Sequence, residues 1–151
     1  MIELTEQPID MQTVTDSVRS PSAGAVVLFL GTVREFTAGT QTAFLEYTAY
    51  PQMALVQLQQ LCSEATARYD LIGVSVVHRT GHLQPGEVSV AVAVSAAHRL
   101  SAFSGGQWLM DELKRRVPIW KKEHYADGRE EWQHPGTGKP SAESGEAQHV
   151  G

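Results

Sequence analysis

The spacing of apolar residues along this chain changes several times, and each change marks an element. Val88, Val90, Val92 and Val94 alternate with Ser89, Ala91, Ala93 and Ser95. That period of two predicts a strand with a valine face and a small face, and the small face leaves room for a helix or another subunit to come close. Upstream, Leu71 to His78 (LIGVSVVH) reads as a second strand, and the Pro-Gly turn within Gly81 to Glu87 joins the two as an antiparallel pair. Ala25 to Val33 (AVVLFLGTV) is apolar without alternation, which predicts a central strand buried on both faces. Ile2 to Glu6 and Ala43 to Ala49 are β-prone, Thr37 to Thr40 reads as a mobile loop, and a turn at Asp127-Gly128 leads to a last short strand around Trp132.

Elsewhere the spacing is helical. Met11, Val14 and Val18 follow Asp10, a suitable N-cap. Pro51 opens a helix from Gln52 to Tyr69 with Leu55, Leu58, Leu61, Cys62 and Ala65 on one face. A third helix, capped by Ser101, runs through Val117 with Leu109, Leu113 and Val117 as its stripe. Pro118 has no amide hydrogen and its ring clashes with the carbonyl four residues back, so the helix stops near Val117 and the chain continues extended.

Length and composition narrow the class. At 151 residues, 42% hydrophobic and 19% charged, the chain supports one ordinary globular domain, expected over residues 1–133. From His134 it turns to Gly, Pro, Ser, Glu and Gln, so residues 134–151 are expected to be a flexible tail. The start, MIELTEQPID, is acidic where a signal peptide is basic. The longest apolar run, Ala25 to Leu30, is far short of the ~20 residues of a membrane span. The single cysteine, Cys62, has no internal partner and reads as a buried core thiol in a reducing compartment. A cytoplasmic protein is expected.

Charge changes the picture most. The net charge is −5, which disfavours a general nucleic-acid or anionic-membrane binder, yet WLMDELKRRVPIWKKE (108–123) carries five cations in sixteen residues. Lys114 ends a helix and Lys121 stands on the element after it. The two lysines can therefore converge on one anion-binding pocket, each close enough to other cations to have its pKa lowered. The bland alternative is a set of solvated lysines complementing a helix dipole. Arg34 follows an apolar strand at a loop, where sites are often built, or is simply an exposed strand-end arginine. His98 and Arg99 precede a helix N-terminus, whose free amides and dipole suit a phosphate, although a strand-end histidine needs no function. No HExxH, CxxC, GxSxG or GxxxxGK[ST] pattern occurs, so neither a metal nor a cofactor is expected.

The segments GTVRE (31–35), HRTGHLQPGE (78–87), SAAHR (95–99) with AFSGGQWLMDELK (102–114), and VPIWKKE (117–123) together resemble the MoaE family of molybdopterin synthase large, catalytic subunits. The resemblance runs from about Ile2 to Trp132. It implies an α/β (α+β), hammerhead-like fold with a mostly antiparallel sheet flanked by helices. It also implies a homodimer carrying a small ubiquitin-like sulfur-carrier subunit at each end, a heterotetramer. In that family, sulfur passes from the thiocarboxylate of the carrier's Gly-Gly tail to cyclic pyranopterin monophosphate, making the dithiolene of molybdopterin. Lys114 and Lys121 match the family's active-site lysines, Arg34 its strand-end arginine, His98 and Arg99 its His-Arg pair, and Phe29 and Glu123 further pocket positions. Beyond Trp132 the first basic residue is Lys139, where some relatives place an arginine near substrate. The chain ends Val150-Gly151 and contains no ubiquitin-like segment, so the carrier is expected to be a separate polypeptide. The competing reading is a non-catalytic dimeric α+β module that binds a small phosphorylated ligand.

Overall fold

In the computed structural model, which describes residues 1–133, the valine alternation becomes the strand around which the molecule is arranged. This strand, β7 (Val88–Ala96), pairs antiparallel with β5 (Leu71–Arg79) on one side and β2 (Ala25–Thr32) on the other. β1 (Ile2–Thr5) adds parallel to β5, so the first sheet has the order β1-β5-β7-β2. The valine face packs against α2 (Pro51–Tyr69) and α3 (Arg99–Arg116) in the main core, with Leu58, Leu61, Val92, Val94 and Leu109 fully enclosed.

The small face receives α1 (Met11–Val18) over Ala91 and Ala93. Close docking depends on small neighbours, since a Cβ at Gly73 would stand 2.9 Å from the Val18 Cα. Ser95 Oγ donates to the Val18 carbonyl (2.6 Å), one of the carbonyls a helix end leaves without an internal donor. Asp10 caps the other end, accepting from the amides of Gln12 and Thr13.

A second sheet is built on β4 (Thr40–Ala49), which pairs with β3 (Phe36–Thr37), β6 (Gly81–Leu83) and β8 (Ile119–Tyr125), while β9 (Glu130–Gln133) extends it beyond β8. With β1–β5 the parallel pair, the architecture is α+β with mostly antiparallel strands, as expected.

Four expectations are corrected. β2 is an edge strand of its sheet, paired with β7 alone among the described residues, and Val26 and Phe29, on its two opposite faces, are both exposed. Thr37 to Thr40 is a hairpin whose two turn residues, Ala38 and Gly39, both have positive φ, the geometry that matches strand twist in a two-residue turn. On α2, Ala54 enters the core while Leu55 faces outward. Ser101 is not the cap of α3; the cap position is His98, whose side chain makes no capping bond, and Ser101 lies inside the first turn. The tail expected over residues 134–151 lies outside the described residues.

Candidate active site

Three segments meet at a cavity of about 420 Å³ between the two sheets. The first is the end of α3. Val117 leaves helical geometry (φ −83°, ψ 131°), so Lys114 stands in the last helical turn and the chain passes Pro118 into β8. The second is β8 itself, where Ile119, Lys121 and Glu123 share a face by the period of two and lie opposite Ala49, Tyr47 and Leu45 of β4. The third is the end of β2 and the residues after it. Val33 exchanges backbone bonds with the Pro-Gly turn (Val33 N to Glu87 O, 3.0 Å; Gly86 N to Val33 O, 2.8 Å), and Glu35 O accepts from Thr42 N (2.8 Å). Arg34 therefore sits between two anchored residues.

Lys114, Lys121 and Arg34 all line the cavity, with Glu123 as its anion and Phe29 at its wall. Among the described residues none of the three cations forms an ion pair, whereas the neighbouring cations do. Lys122 pairs with Glu130 (3.2 Å), Arg115 with Glu112 (2.5 Å) and Arg116 with Glu64 (2.8 Å). Unpaired positive charge in a concave, partly apolar space is an anion site. Burial, and then the charges of Lys114 and Arg34, hold the Lys121 amine below the ordinary lysine pKa, opposed by Glu123.

Glu123 is almost wholly buried and held at both oxygens. Thr42 Oγ1 donates to one at 2.5 Å and Gln133 Nε2 to the other at 3.4 Å. Deeper in the cavity stand Tyr47, His78 and Ser89. Burial raises the Tyr47 hydroxyl pKa, and its ring meets His78 edge-on at 5.0 Å. Ser89 Oγ donates to the Gly31 carbonyl (3.2 Å).

The structure thus brings together Lys114, Lys121, Arg34, Phe29 and Glu123, but not His98 and Arg99. The His-Arg pair is at the opposite end of α3, and from Arg99 to Lys114 the helix rises roughly 22 Å at 1.5 Å per residue. Tyr47, His78 and Thr42 were not singled out for this pocket by sequence reasoning. The signal for His78 was the strand period, since Val74, Val76 and His78 continue one face of β5 opposite Val94, Val92 and Val90.

Three comparisons bear on this arrangement. The model of the MoaE protein family matches residues 4–116. The molybdopterin synthase catalytic subunit of Emericella nidulans is 43% identical over 131 residues, 87% of this chain and 67% of that protein. The subunit of the same description from Halalkalibacterium halodurans is 44% identical over 125 residues, 83% of this chain and 80% of that protein. Among solved structures, molybdopterin synthase from Staphylococcus aureus superposes with a TM-score of 0.82 at 39% identity, covering 87% of this chain and 95% of that one.

Proposed function

This chain belongs to the MoaE family, and from that premise we propose how it works as the catalytic subunit of a molybdopterin synthase, a sulfurtransferase. A separate ubiquitin-like carrier presents the thiocarboxylate of its Gly-Gly tail in the cavity, and the sulfur passes to cyclic pyranopterin monophosphate. Two such transfers make the dithiolene. The observation that carries this reading is the convergence of Lys114 and Lys121, from the end of α3 and from β8, on one cavity where neither has an ion-pair partner among the described residues.

The thiocarboxylate is an anion whose sulfur bonds to a carbon of the pterin precursor. Water then attacks the acyl carbon through a tetrahedral oxyanion that collapses by breaking the acyl C–S bond, leaving the sulfur on the pterin and a carboxylate on the carrier. The Lys114 ammonium stabilises that developing charge more than the reactant charge, which is what lowers a barrier. Lys121, with its pKa lowered by burial and by Lys114, gives and takes protons more readily than an ordinary lysine. Glu123 limits that lowering, and Arg34 and Phe29 border the substrate's entry.

The His-Arg pair serves the substrate phosphate from a second copy of the chain. Within one copy it is too far away, but Leu100 and Phe103 beside it are 76% and 62% exposed, and the β2 edge exposes Val26 and Phe29. A two-fold dimer that buries these residues places His98 and Arg99 of one copy near the cavity of the other, where a guanidinium grips phosphate with two hydrogen bonds. We assign the catalytic domain to residues 1–133. Among the described residues no helix is long and apolar enough to cross a membrane, and we place the reaction in the cytoplasm.

The test is sulfur transfer from a thiocarboxylated carrier to the pterin precursor by wild-type and Lys114→Ala protein. The variant is expected to fold normally and lose turnover. Undiminished turnover removes Lys114 from the mechanism.

A further inference from the structure

We infer that His78 is a substrate-binding residue of the cavity, accepting at Nε2 a hydrogen bond from an N–H of the pterin ring. The inference rests on the sulfurtransferase reading above and adds a recognition contact to it.

The geometry fixes which nitrogen can do this. His78 is 5% exposed and lines the cavity. Its Nδ1 lies 2.9 Å from the Arg79 carbonyl oxygen, an atom that can only accept, so Nδ1 carries the proton. Nε2 of the neutral ring is then a lone-pair acceptor, and it has no hydrogen-bond partner among the described residues. Burial first, and the charge of Lys114 after it, keep the ring neutral, with a pKa lowered to about 4 against the opposing effect of the Arg79 carbonyl. His78 is consequently neither a general acid nor a cation for the carrier's thiocarboxylate.

The hydroxyls of Thr37 and Ser89 and the Gln133 carbonyl also border the cavity, and His78 adds to them a ring-nitrogen acceptor that cannot donate. Arg34 only donates, and Lys114 and Lys121 only donate while protonated. Both oxygens of Glu123 already accept from Thr42 and Gln133. Ser89 donates its hydroxyl to the Gly31 carbonyl. The carrier's thiocarboxylate has only acceptors to offer at its reacting end, whereas a reduced pterin carries ring N–H and amino donors. A buried acceptor that cannot donate suits an N–H of the pterin and not the thiocarboxylate, and it discriminates against rings without a donor there, because an unpaired buried polar group is costly.

Two variants separate binding from packing. Asn at this position keeps a donor for the Arg79 carbonyl and loses the Nε2 acceptor; Gln reaches the Nε2 position with its own carbonyl. For His78→Asn we expect KM for the pterin precursor to rise about tenfold, the loss of one hydrogen bond, with KM for the carrier unchanged. For His78→Gln we expect KM for the pterin to stay within about threefold of wild type, the smaller loss that a displaced but still present acceptor leaves. A His78→Asn enzyme with unchanged pterin KM overturns the inference, as does an equal rise in both KM values. Should neither variant fold, the wild-type protein labelled with 15N-histidine decides. Adding pterin precursor without carrier is expected to shift the Nε2 resonance of His78, and an unmoved resonance at saturation overturns the assignment. A wild-type chain that transfers no sulfur overturns the functional reading together with this one. A wild type that turns over, with pterin KM unmoved in His78→Asn, overturns this one alone.

Discussion

Replacing Thr42 by Val removes one oxygen and leaves the shape of the side chain nearly unchanged. Thr42 is 3% exposed and Glu123 is 2% exposed, and the 2.5 Å hydrogen bond between them joins β4 to β8 across 81 residues of sequence. Without the hydroxyl, a buried carboxylate keeps only the longer bond from Gln133, at 3.4 Å. Hydrogen bonds to charged groups contribute about 1.5–3 kcal/mol, so the variant should lose about 2 kcal/mol of stability. At roughly 3 °C per kcal/mol for a chain of this length, the melting temperature should fall by about 6 °C. A double-mutant cycle isolates the pair. Thermal or urea unfolding of Thr42→Val, Glu123→Met and the double variant should give a coupling of about 1 kcal/mol or more, because methionine keeps the length of the glutamate but cannot accept the Thr42 bond, so the two changes remove the same interaction. The assay for consequence is sulfur transfer, where a Glu123 no longer fixed beside Lys121 should lower turnover while Thr42→Ser restores it. A coupling below about 0.5 kcal/mol, the level at which independent sites add, refutes the claim that Thr42 holds Glu123 in place.

Three further outcomes follow from the same geometry. The pKa of His78 falls from 6.5 to about 4 on folding, so between those values the unfolded chain binds the proton and the native chain does not; the associated stability is whole above pH 6.5 and lost as pH falls to 4, about 3 kcal/mol in all. Chemical unfolding of wild type and His78→Asn across that range should show a flatter slope in the variant, and parallel slopes contradict the assignment. Gly73→Ala would drive a methyl to 2.9 Å from Val18 Cα and 3.0 Å from Ser95 Oγ, which forces α1 off its sheet and costs about 1–3 kcal/mol by overpacking, read as faster amide exchange in residues 11–18. Lys121, whose pKa is lowered, should reach half-maximal acylation at a pH below that of a free lysine, and Glu123→Gln should move it lower still by removing the charge that opposes the shift; a move upward on that substitution contradicts the electrostatics.

Much of this was legible along the chain because the governing interactions are local. The period of β7, the Asp10 cap and the Pro118 break each depend on residues a few positions apart. The convergence of Lys114 and Lys121 followed from the same proline, which turns a helix into a strand within a few residues. What was not legible depends on partners distant in sequence. The edge position of β2 is decided by which strands pair, and its apolar composition reads the same for a central strand as for an edge that another copy covers. Thr42 gains its role from Glu123, 81 positions away, through the register of β4 on β8. Nothing near His78 in the chain marks it as a pocket residue, because the cavity it borders is closed by β8 and α3, neither adjacent to it in sequence.

The roughly 22 Å between the His-Arg pair and Lys114 on α3 makes one further demand, because a single substrate holding both a phosphate and a reacting ring cannot span it. If two copies complete each site, Lys114→Ala and Arg99→Ala are each expected to be inactive as pure dimers, the first lacking the oxyanion stabiliser and the second the phosphate grip. Mixed after unfolding and refolding together, half of the dimers hold one of each. In such a dimer one site collects both substitutions and the other collects none, so the mixture should recover about a quarter of wild-type turnover. The recovered activity should also show the wild-type KM for the pterin, since the intact site is unaltered. If each chain instead held a complete site, every site in the mixture would carry one defect and no activity would return. Absence of recovery in mixed dimers verified by differential tagging therefore rejects the two-chain site and returns His98 and Arg99 to an ordinary role at the start of α3.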